Sequence, residues 1–245
     1  MRNAGCYRLE FVTRKHHHRN RSQGVIVQPA LYAHPFASYC WKVLIALYEN
    51  HTPFTYRALG PDDPQAAVEL AALWPLKKFP VLVDEGRPVI ESSIIIEHLH
   101  LRYPGPVRLI PSDPQAALEV RFLDRYFDNY VMNPMSKVVT NQIRPEDRRD
   151  AYGVEEALAT LETAYGWLDT LMAHRTWAAG ERFTMADCAA APSLFYSDWV
   201  LQIPERFPNV RAYRSRLLAR PSVARTVDEA RPFRPFFPLG APDRD

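Results

Sequence analysis

Between Ala30 and Leu101 the apolar and polar positions follow two alternating patterns. Short runs of apolar, aromatic and β-branched residues predict strands, and apolar residues at helical spacing predict the helices between them. Strands are expected at 30–33, 54–59, 80–83 and 88–90, and helices at 38–50, 65–73 and from Ser92 or Ser93 onward. The order βαβαββα predicts an α/β domain with a mixed four-stranded sheet.

The second half of the chain shows helical patterns only. Residues 103–116 contain four prolines and one glycine, which predicts a boundary. Helices are expected at 115–140, 154–174, 184–200, 208–219 and 221–229, which together form an all-α helical-bundle domain. The predicted organisation is a basic, disordered extension at 1–26, an α/β domain at 27–103, a linker at 104–116, helices at 117–230 and a strap at 231–245. The strap holds too many prolines for a helix, so it is expected to pack as an extended segment through its phenylalanines.

Composition excludes several classes of function. Apolar residues make up 47% of the chain and charged residues 24%, as in ordinary soluble proteins. No apolar run approaches the roughly 18 residues of a membrane span, so no membrane partner is expected. The net charge of +2 divides into +5 over residues 1–24 and −3 over the rest. The mildly acidic remainder of the chain argues against nucleic acid binding. Three scattered cysteines favour a reducing cytoplasm, and no metal site is expected.

The segment from Phe79 to Ser93 is suited to hold a small peptide-like anion. Pro80 has no amide hydrogen, so it is expected to start a strand after a cis bond, with the main chain of Phe79 free for a ligand. Glu91 and Ser92 then precede an apolar helix, and Ser92 or Ser93 is the expected N-cap. Unpaired amides at a helix N-terminus favour a carboxylate.

Four features in order resemble the cytosolic glutathione S-transferase superfamily over about residues 27–230. They are the turn and helix start at 35–43, Lys77–Leu82 around Pro80, the pair Glu91-Ser92, and the stretch 179–187. In the last of these, Thr184 and Asp187 have the spacing of a capping box. The resemblance implies a thioredoxin-like first domain, an all-helical second domain, a homodimer, and glutathione as co-substrate.

Carried over by position, the resemblance implies a glutathione site in the first domain. Glu91 and Ser92 would hold the γ-glutamyl end, Phe79 and Pro80 the cysteinyl peptide, and Lys78 the glycyl end. The implied function is activation of the glutathione thiolate for attack on a hydrophobic electrophile.

The thiolate-activating group is ambiguous. Ser38 is the candidate catalytic hydroxyl, but the family's usual position falls on Ala37. Ser38 activates the sulfur or only caps the helix, in which case Tyr39, Tyr32 or backbone amides act instead. A free thiol has a pKa near 8.5, and lowering it by about two units requires roughly 2.7 kcal/mol. Two alternatives stay open: a non-catalytic binding or regulatory protein, and thiol–disulfide exchange through Cys40.

The acceptor is expected in the cleft between the domains. Aromatic residues at the first turn and on the helices of the second domain are the candidates for its lining: Phe36, Tyr126, Tyr130 and Tyr196.

Overall fold

The computed structural model of the protein describes residues 28–245. The predicted basic extension, with Cys6 and the three consecutive histidines at 16–18, lies outside the described residues. Within them, no helix is long and apolar enough to cross a membrane.

The first domain contains a mixed four-stranded sheet. Its elements are β1 (Ala30–Ala33), α1 (Ser38–Glu49), β2 (Thr55–Ala58), α2 (Pro64–Leu73), β3 (Val81–Asp84), β4 (Arg87–Ile90) and α3 (Ser92–Arg102). The strand order is β2-β1-β3-β4, with β1 parallel to β2 and antiparallel to β3, and β4 antiparallel to β3. The predicted thioredoxin-like arrangement is confirmed.

The second domain is helical. Its elements are α4 (Pro114–Tyr126), a π-helical segment (Phe127–Met132), α5 (Asn133–Gln142), a 3₁₀ turn (Glu146–Arg148), α6 (Ala151–Met172), α7 (Met185–Val200), α8 (Pro208–Leu218) and α9 (Pro221–Ala230). The single helix expected at 115–140 is therefore interrupted by a π-helical segment, a feature that apolar spacing does not encode.

The core runs through both domains because α1 packs between the sheet and α7. Residues Cys40–Leu47 are all buried, as are residues Met185–Trp199 of α7. The predicted capping box starts α7: the Thr184 amide donates to Asp187 Oδ2 at 2.8 Å. Tyr213 also donates to Asp187 Oδ1 at 2.6 Å, which ties α8 to this cap.

The tail differs from the expected extended strap in one respect. Residues Arg231–Phe236 form a 3₁₀ helix. A 3₁₀ turn tolerates Pro232 at its start, where a proline's missing amide would be unpaired in any case. Beyond it, Phe237 packs on the body and is 6% exposed, whereas Phe236 is 73% exposed. We call residues 231–245 the strap.

Candidate functional site

The turn between β1 and α1 is held by three hydrogen bonds to its carbonyls. The Ala37 amide donates to the His34 carbonyl at 3.0 Å, and Trp41 Nε1 donates to the Pro35 carbonyl at 2.6 Å. The Tyr196 hydroxyl reaches from α7 and donates to the Phe36 carbonyl at 2.9 Å. With its carbonyls engaged, the turn positions the start of α1 rigidly.

Ser38 is the first residue of α1, and the N-cap position belongs to Ala37. The capping role considered for Ser38 is therefore wrong, because Ser38 already lies within the first turn. Within residues 28–245, neither the amide of Ser38 nor that of Tyr39 has a hydrogen-bond acceptor. This helix start thus offers two amides, the positive end of the dipole and a hydroxyl to an anion.

A groove beside Pro80 forms the peptide-binding candidate. The Phe79–Pro80 bond is cis, and β3 begins at Val81, so the main chain of Phe79 stays outside the sheet. The groove has a volume of about 290 Å³. We call it the Phe79 groove, and it is lined by Tyr39, Trp74, Lys78, Phe79, Pro80, Ile90, Glu91 and Ser92. The indole nitrogen of Trp74 is buried there without an acceptor in the described part of the chain.

Glu91 and the two serines after it have three different roles. Glu91 itself is the N-cap of α3, with φ of 74°, so the N-cap expected at Ser92 or Ser93 is one or two residues earlier. A non-glycine residue in the left-handed region costs about 1 kcal/mol and is typical of functional sites. Ser92 lines the Phe79 groove, whereas Ser93 faces inward and donates to Asp124 Oδ2 at 2.7 Å.

Behind this helix start lies a buried charge cluster that the sequence did not reveal. Lys42 of α1 is fully buried, and its Nζ lies 2.9 Å from Asp124 Oδ1 and 2.8 Å from Asp128 Oδ2. Lys42 also donates to Ser93 Oγ at 3.1 Å, so the cluster joins α1, α3, α4 and the π-helical segment. Arg125, half exposed, caps the cluster from outside through both aspartates.

The pKa values of the two carboxyls in the cluster are shifted in opposite directions. Burial raises the pKa of Asp128, and the attraction of Lys42 only partly opposes it. Burial also tends to raise the pKa of Asp124, but the attraction of Lys42 and the hydrogen bond from Ser93 outweigh it, so the pKa of that carboxyl is lowered. Asp124 therefore keeps its negative charge beside Lys42 to a lower pH than Asp128 does.

A second depression opens at the start of α1, and we call it the Ser38 cleft. Its volume is about 430 Å³. It shares Tyr39, Lys78 and Phe79 with the Phe79 groove, so the two sites are continuous. The remaining lining residues are Phe36, Ala37, Ser38, Lys77, Met135, Ser136, Val139, Thr140, Tyr196, Phe236, Phe237 and Pro238.

Two of the four aromatic residues predicted for the acceptor line this cleft, and two do not. Phe36 and Tyr196 lie in it with their rings 5.5 Å apart. Tyr126 and Tyr130 instead line a separate groove beside α6, because the end of α4 and the π-helical segment turn these two side chains toward α6. The Tyr126 hydroxyl donates to the Ala164 carbonyl of α6 at 2.7 Å, so its placement in the cleft was wrong.

The other candidate activating groups are engaged elsewhere. Tyr32 donates to Glu69 at 2.7 Å in the small core under α2 and lines neither the Phe79 groove nor the Ser38 cleft. Tyr39 donates its hydroxyl proton to Asn133 Oδ1 at 3.1 Å, and burial raises its pKa to about 12. Cys40 is fully buried, and burial raises the pKa of its thiol to about 12, so it is neither accessible nor ionised.

Comparisons with known proteins agree with this geometry. The family model described as glutathione S-transferase, N-terminal domain, matches residues 31–107, and the C-terminal domain model matches residues 131–221. A glutathione S-transferase from Methylobacterium radiotolerans, solved in complex with glutathione sulfonate, is 31% identical with a TM-score of 0.72, over 82% of this chain and 94% of that one. The chain belongs to the glutathione S-transferase family.

Two other members of the glutathione S-transferase family extend the comparison. A transferase from Methylobacillus flagellatus, solved with glutathione bound, is 27% identical with a TM-score of 0.74, over 81% of this chain and 98% of that one. A probable glutathione S-transferase of Nicotiana tabacum is 31% identical over 150 residues, which cover 58% of this chain and 62% of the tobacco protein. The strap lies beyond the residues that either family model matches.

Within residues 28–245 of this family member, no group of three or more histidine, cysteine, aspartate or glutamate side chains is placed to hold a metal ion. Sequence reasoning assigned no role to Lys42, Asp124 and Asp128 of the buried cluster, nor to Lys77 and Phe236 of the Ser38 cleft. A lysine inside the apolar run of α1 was the one available signal for the buried cluster.

Proposed function

We propose that this protein is a glutathione transferase that ionises the thiol of glutathione and adds the sulfur to an electrophile. The observation that carries the proposal is the continuity of the Phe79 groove and the Ser38 cleft through Tyr39, Lys78 and Phe79. A tripeptide in the groove presents its central cysteine to the start of α1. The acceptor then occupies the cleft on the other side of the sulfur.

Each part of glutathione has a chemically matched partner in the proposed complex. The main chain of Phe79 pairs with the cysteinyl peptide, and Lys78 faces the glycyl carboxylate. Glu91 pairs with the γ-glutamyl amine, while the Ser92 hydroxyl and the free amides of α3 hold the adjacent carboxylate. The relatives from Methylobacillus flagellatus and Methylobacterium radiotolerans hold glutathione and glutathione sulfonate, which supports glutathione as the ligand.

Ser38 is the proposed activating group. Its hydroxyl donates a hydrogen bond to the thiolate, and the free amides of Ser38 and Tyr39 add to the stabilisation. A hydrogen bond to a charged group contributes about 1.5–3 kcal/mol, which accounts for most of a shift of about two units in the thiol pKa. Tyr39 is a weaker candidate because it must first release Asn133.

The cleft wall supports a hydrophobic electrophile as the acceptor. Phe36 and Tyr196 meet edge to face at the end nearest α7, and Met135 and Val139 of α5 continue the apolar surface. The thiolate attacks an electrophilic carbon held against this surface, and the thiol proton passes to solvent.

The second candidate function is binding without catalysis. Ala37 favours it, because this residue stands where the family's usual activating hydroxyl is expected. Exchange through Cys40 is not favoured, since its thiol is buried.

Replacement of Ser38 decides between catalysis and binding. The pKa of bound glutathione is measured from the ultraviolet absorbance of the thiolate as a function of pH. Wild-type protein is expected to lower it by about two units, and Ser38→Ala to restore at least one of them. Ser136→Ala removes another hydroxyl of the same cleft and serves as the matched control, with no expected change.

An unchanged thiol titration in Ser38→Ala would exclude Ser38 as the activator. If wild-type protein binds glutathione but leaves its pKa at the free value, the binding function replaces catalysis. If millimolar glutathione does not bind at all, the whole proposal fails.

A cytoplasmic homodimer completes the proposal. Cys40 and Cys188 are both free and buried, which suits a reducing compartment. Phe122, Tyr130 and Trp167 expose their rings around the groove between α4 and α6, and such a patch on a soluble protein favours association. Light scattering coupled to size-exclusion chromatography tests this, and the mass of a single chain would contradict it.

A further inference from the structure

The Ser38 cleft has an unbalanced charge. Lys77 and Lys78 line it, and no aspartate or glutamate does. Neither lysine forms an ion pair with a carboxylate within residues 28–245. Lys78 also lines the Phe79 groove, whereas Lys77 lines only the cleft. If Lys78 faces glutathione, Lys77 is left to face the acceptor.

The main chain at Lys77 adopts an unusual conformation. Its φ is 54°, in the left-handed region, and its amide donates to the Trp74 carbonyl at 2.9 Å. A lysine held in this conformation costs about 1 kcal/mol, a cost that glycine would avoid. The Ser38 cleft therefore carries a cation that no carboxylate of residues 28–245 neutralises.

A second wall of the cleft comes from the strap. Phe237 anchors the strap against Trp199, with ring centroids 5.1 Å apart, and Arg234 lies over the same indole at 5.0 Å. Arg234 also pairs with Asp245 at 3.1 Å, so the strap folds back on itself. Phe236 is the residue next to this anchor, and it presents a largely exposed ring to the cleft.

Building on the proposed function, we propose that the preferred acceptor is an aromatic electrophile that carries an anionic group. Its ring packs against Phe236, and its anion faces Lys77. For a halogenated arene, the glutathione sulfur bonds to the halogen-bearing carbon, the carbon–halogen bond breaks, and halide leaves with the electron pair. The thiol proton has already been released to solvent, so the products are the thioether, halide and a proton.

Binding of conjugates tests this without requiring turnover. The probes are glutathione, its dinitrophenyl conjugate, and the same conjugate with a carboxylate on the ring, each titrated by calorimetry. Wild-type protein is expected to bind the carboxylate conjugate roughly fivefold more tightly than the neutral one, the upper range for an exposed ion pair. High salt should reduce this preference.

The variants separate the two contacts. Lys77→Met should abolish the preference and Lys77→Arg should keep it, while Lys137→Met, which removes a lysine outside the cleft, should change nothing. Phe236→Ala should weaken both conjugates roughly fivefold and leave glutathione unaffected. Tyr152→Ala removes an equally exposed aromatic ring elsewhere and is its matched control.

Three outcomes overturn the inference or its basis. If glutathione binds and the two conjugates bind alike, the acceptor assignment is wrong while the proposed function stands. If Lys77→Met weakens glutathione as much as the carboxylate conjugate, Lys77 belongs to the glutathione site. If neither glutathione nor any conjugate binds, the proposed function itself fails.

Discussion

Lys42 and Asp128 form a buried ion pair, with 2.8 Å between Nζ and Oδ2, that connects the first helix of the sheet domain to the π-helical segment of the helical domain. The same lysine contacts Ser93, the neighbour of the proposed glutathione ligand Ser92. One side chain therefore contacts both the helical domain and the start of the helix that carries the proposed glutathione site.

Lys42→Met should destabilise the protein by about 3 kcal/mol, because it leaves Asp124 and Asp128 buried with only Arg125 as a counter-charge. Denaturant unfolding at neutral pH measures the loss. Asp128→Asn should cost less in the Lys42→Met background than in wild type, since it removes one of the unpaired charges. Strictly additive effects would contradict a direct pairing of the two residues.

Tyr196→Phe should destabilise the protein by about 1 kcal/mol, because the Phe36 carbonyl loses its donor. The looser turn should also raise the pKa of bound glutathione. Tyr165→Phe is the matched control, since its hydroxyl donates to the Leu201 carbonyl at 3.2 Å, away from the site. Equal changes of the thiol pKa in both variants would argue against a specific role for the turn.

His34 should make the turn between β1 and α1 sensitive to acid. The Phe36 amide donates to His34 Nδ1 at 3.1 Å, and burial lowers the pKa of this imidazole below its usual 6.5. At pH values above 6.5 the histidine is neutral in both the folded and unfolded states. As pH falls below it, the unfolded state binds the proton first, so the unfolding free energy should decrease.

The control for this prediction is His34→Asn. The asparagine side chain can accept from the amide two residues later without titrating, so the turn should persist. Unfolding measured against pH should show a smaller decrease below 6.5 in the variant. Parallel curves for the two proteins would assign the acid sensitivity to other groups.

Glu91 combines a backbone cost with the proposed ligand role. Glu91→Gln keeps the left-handed φ and removes the charge, so it should raise the Kd for glutathione roughly tenfold with little change in stability. Glu91→Gly should weaken binding similarly but stabilise the fold by about 1 kcal/mol relative to the glutamine variant. Calorimetry and thermal unfolding measure the two effects. A glycine variant no more stable than the glutamine variant would show that the φ of 74° carries no cost.

Local patterns in the sequence were sufficient for the elements and for part of the site. The apolar spacing located the strands and helices to within a few residues, and the Thr184–Asp187 spacing identified a cap that the structure contains. Ser92 and Phe79, both predicted to bind the same ligand, line one groove because the pairing of β3 with β4 brings their neighbours Val81 and Ile90 together.

Contacts between distant segments were not accessible in this way. In the sequence, Tyr126 and Tyr196 are both aromatic residues of predicted helices. In the structure Tyr126 faces α6 and Tyr196 faces the Ser38 cleft, because the rotation of each helix about its axis sets the direction of the side chain. The 3₁₀ turn of the strap was missed because prolines were taken to exclude every helical form.

The sequence by itself determined the two-part architecture and the groove at Phe79 and Glu91, because strands, caps and prolines act over a few neighbouring residues. Only the tertiary structure decided that Lys42 pairs with Asp124 and Asp128, that Lys77 lines the cleft without a carboxylate partner among residues 28–245, and that Phe236 completes the wall of the cleft. Those relationships join residues far apart in the chain, 86 positions in the case of Lys42 and Asp128, and packing of whole elements sets them rather than any local preference.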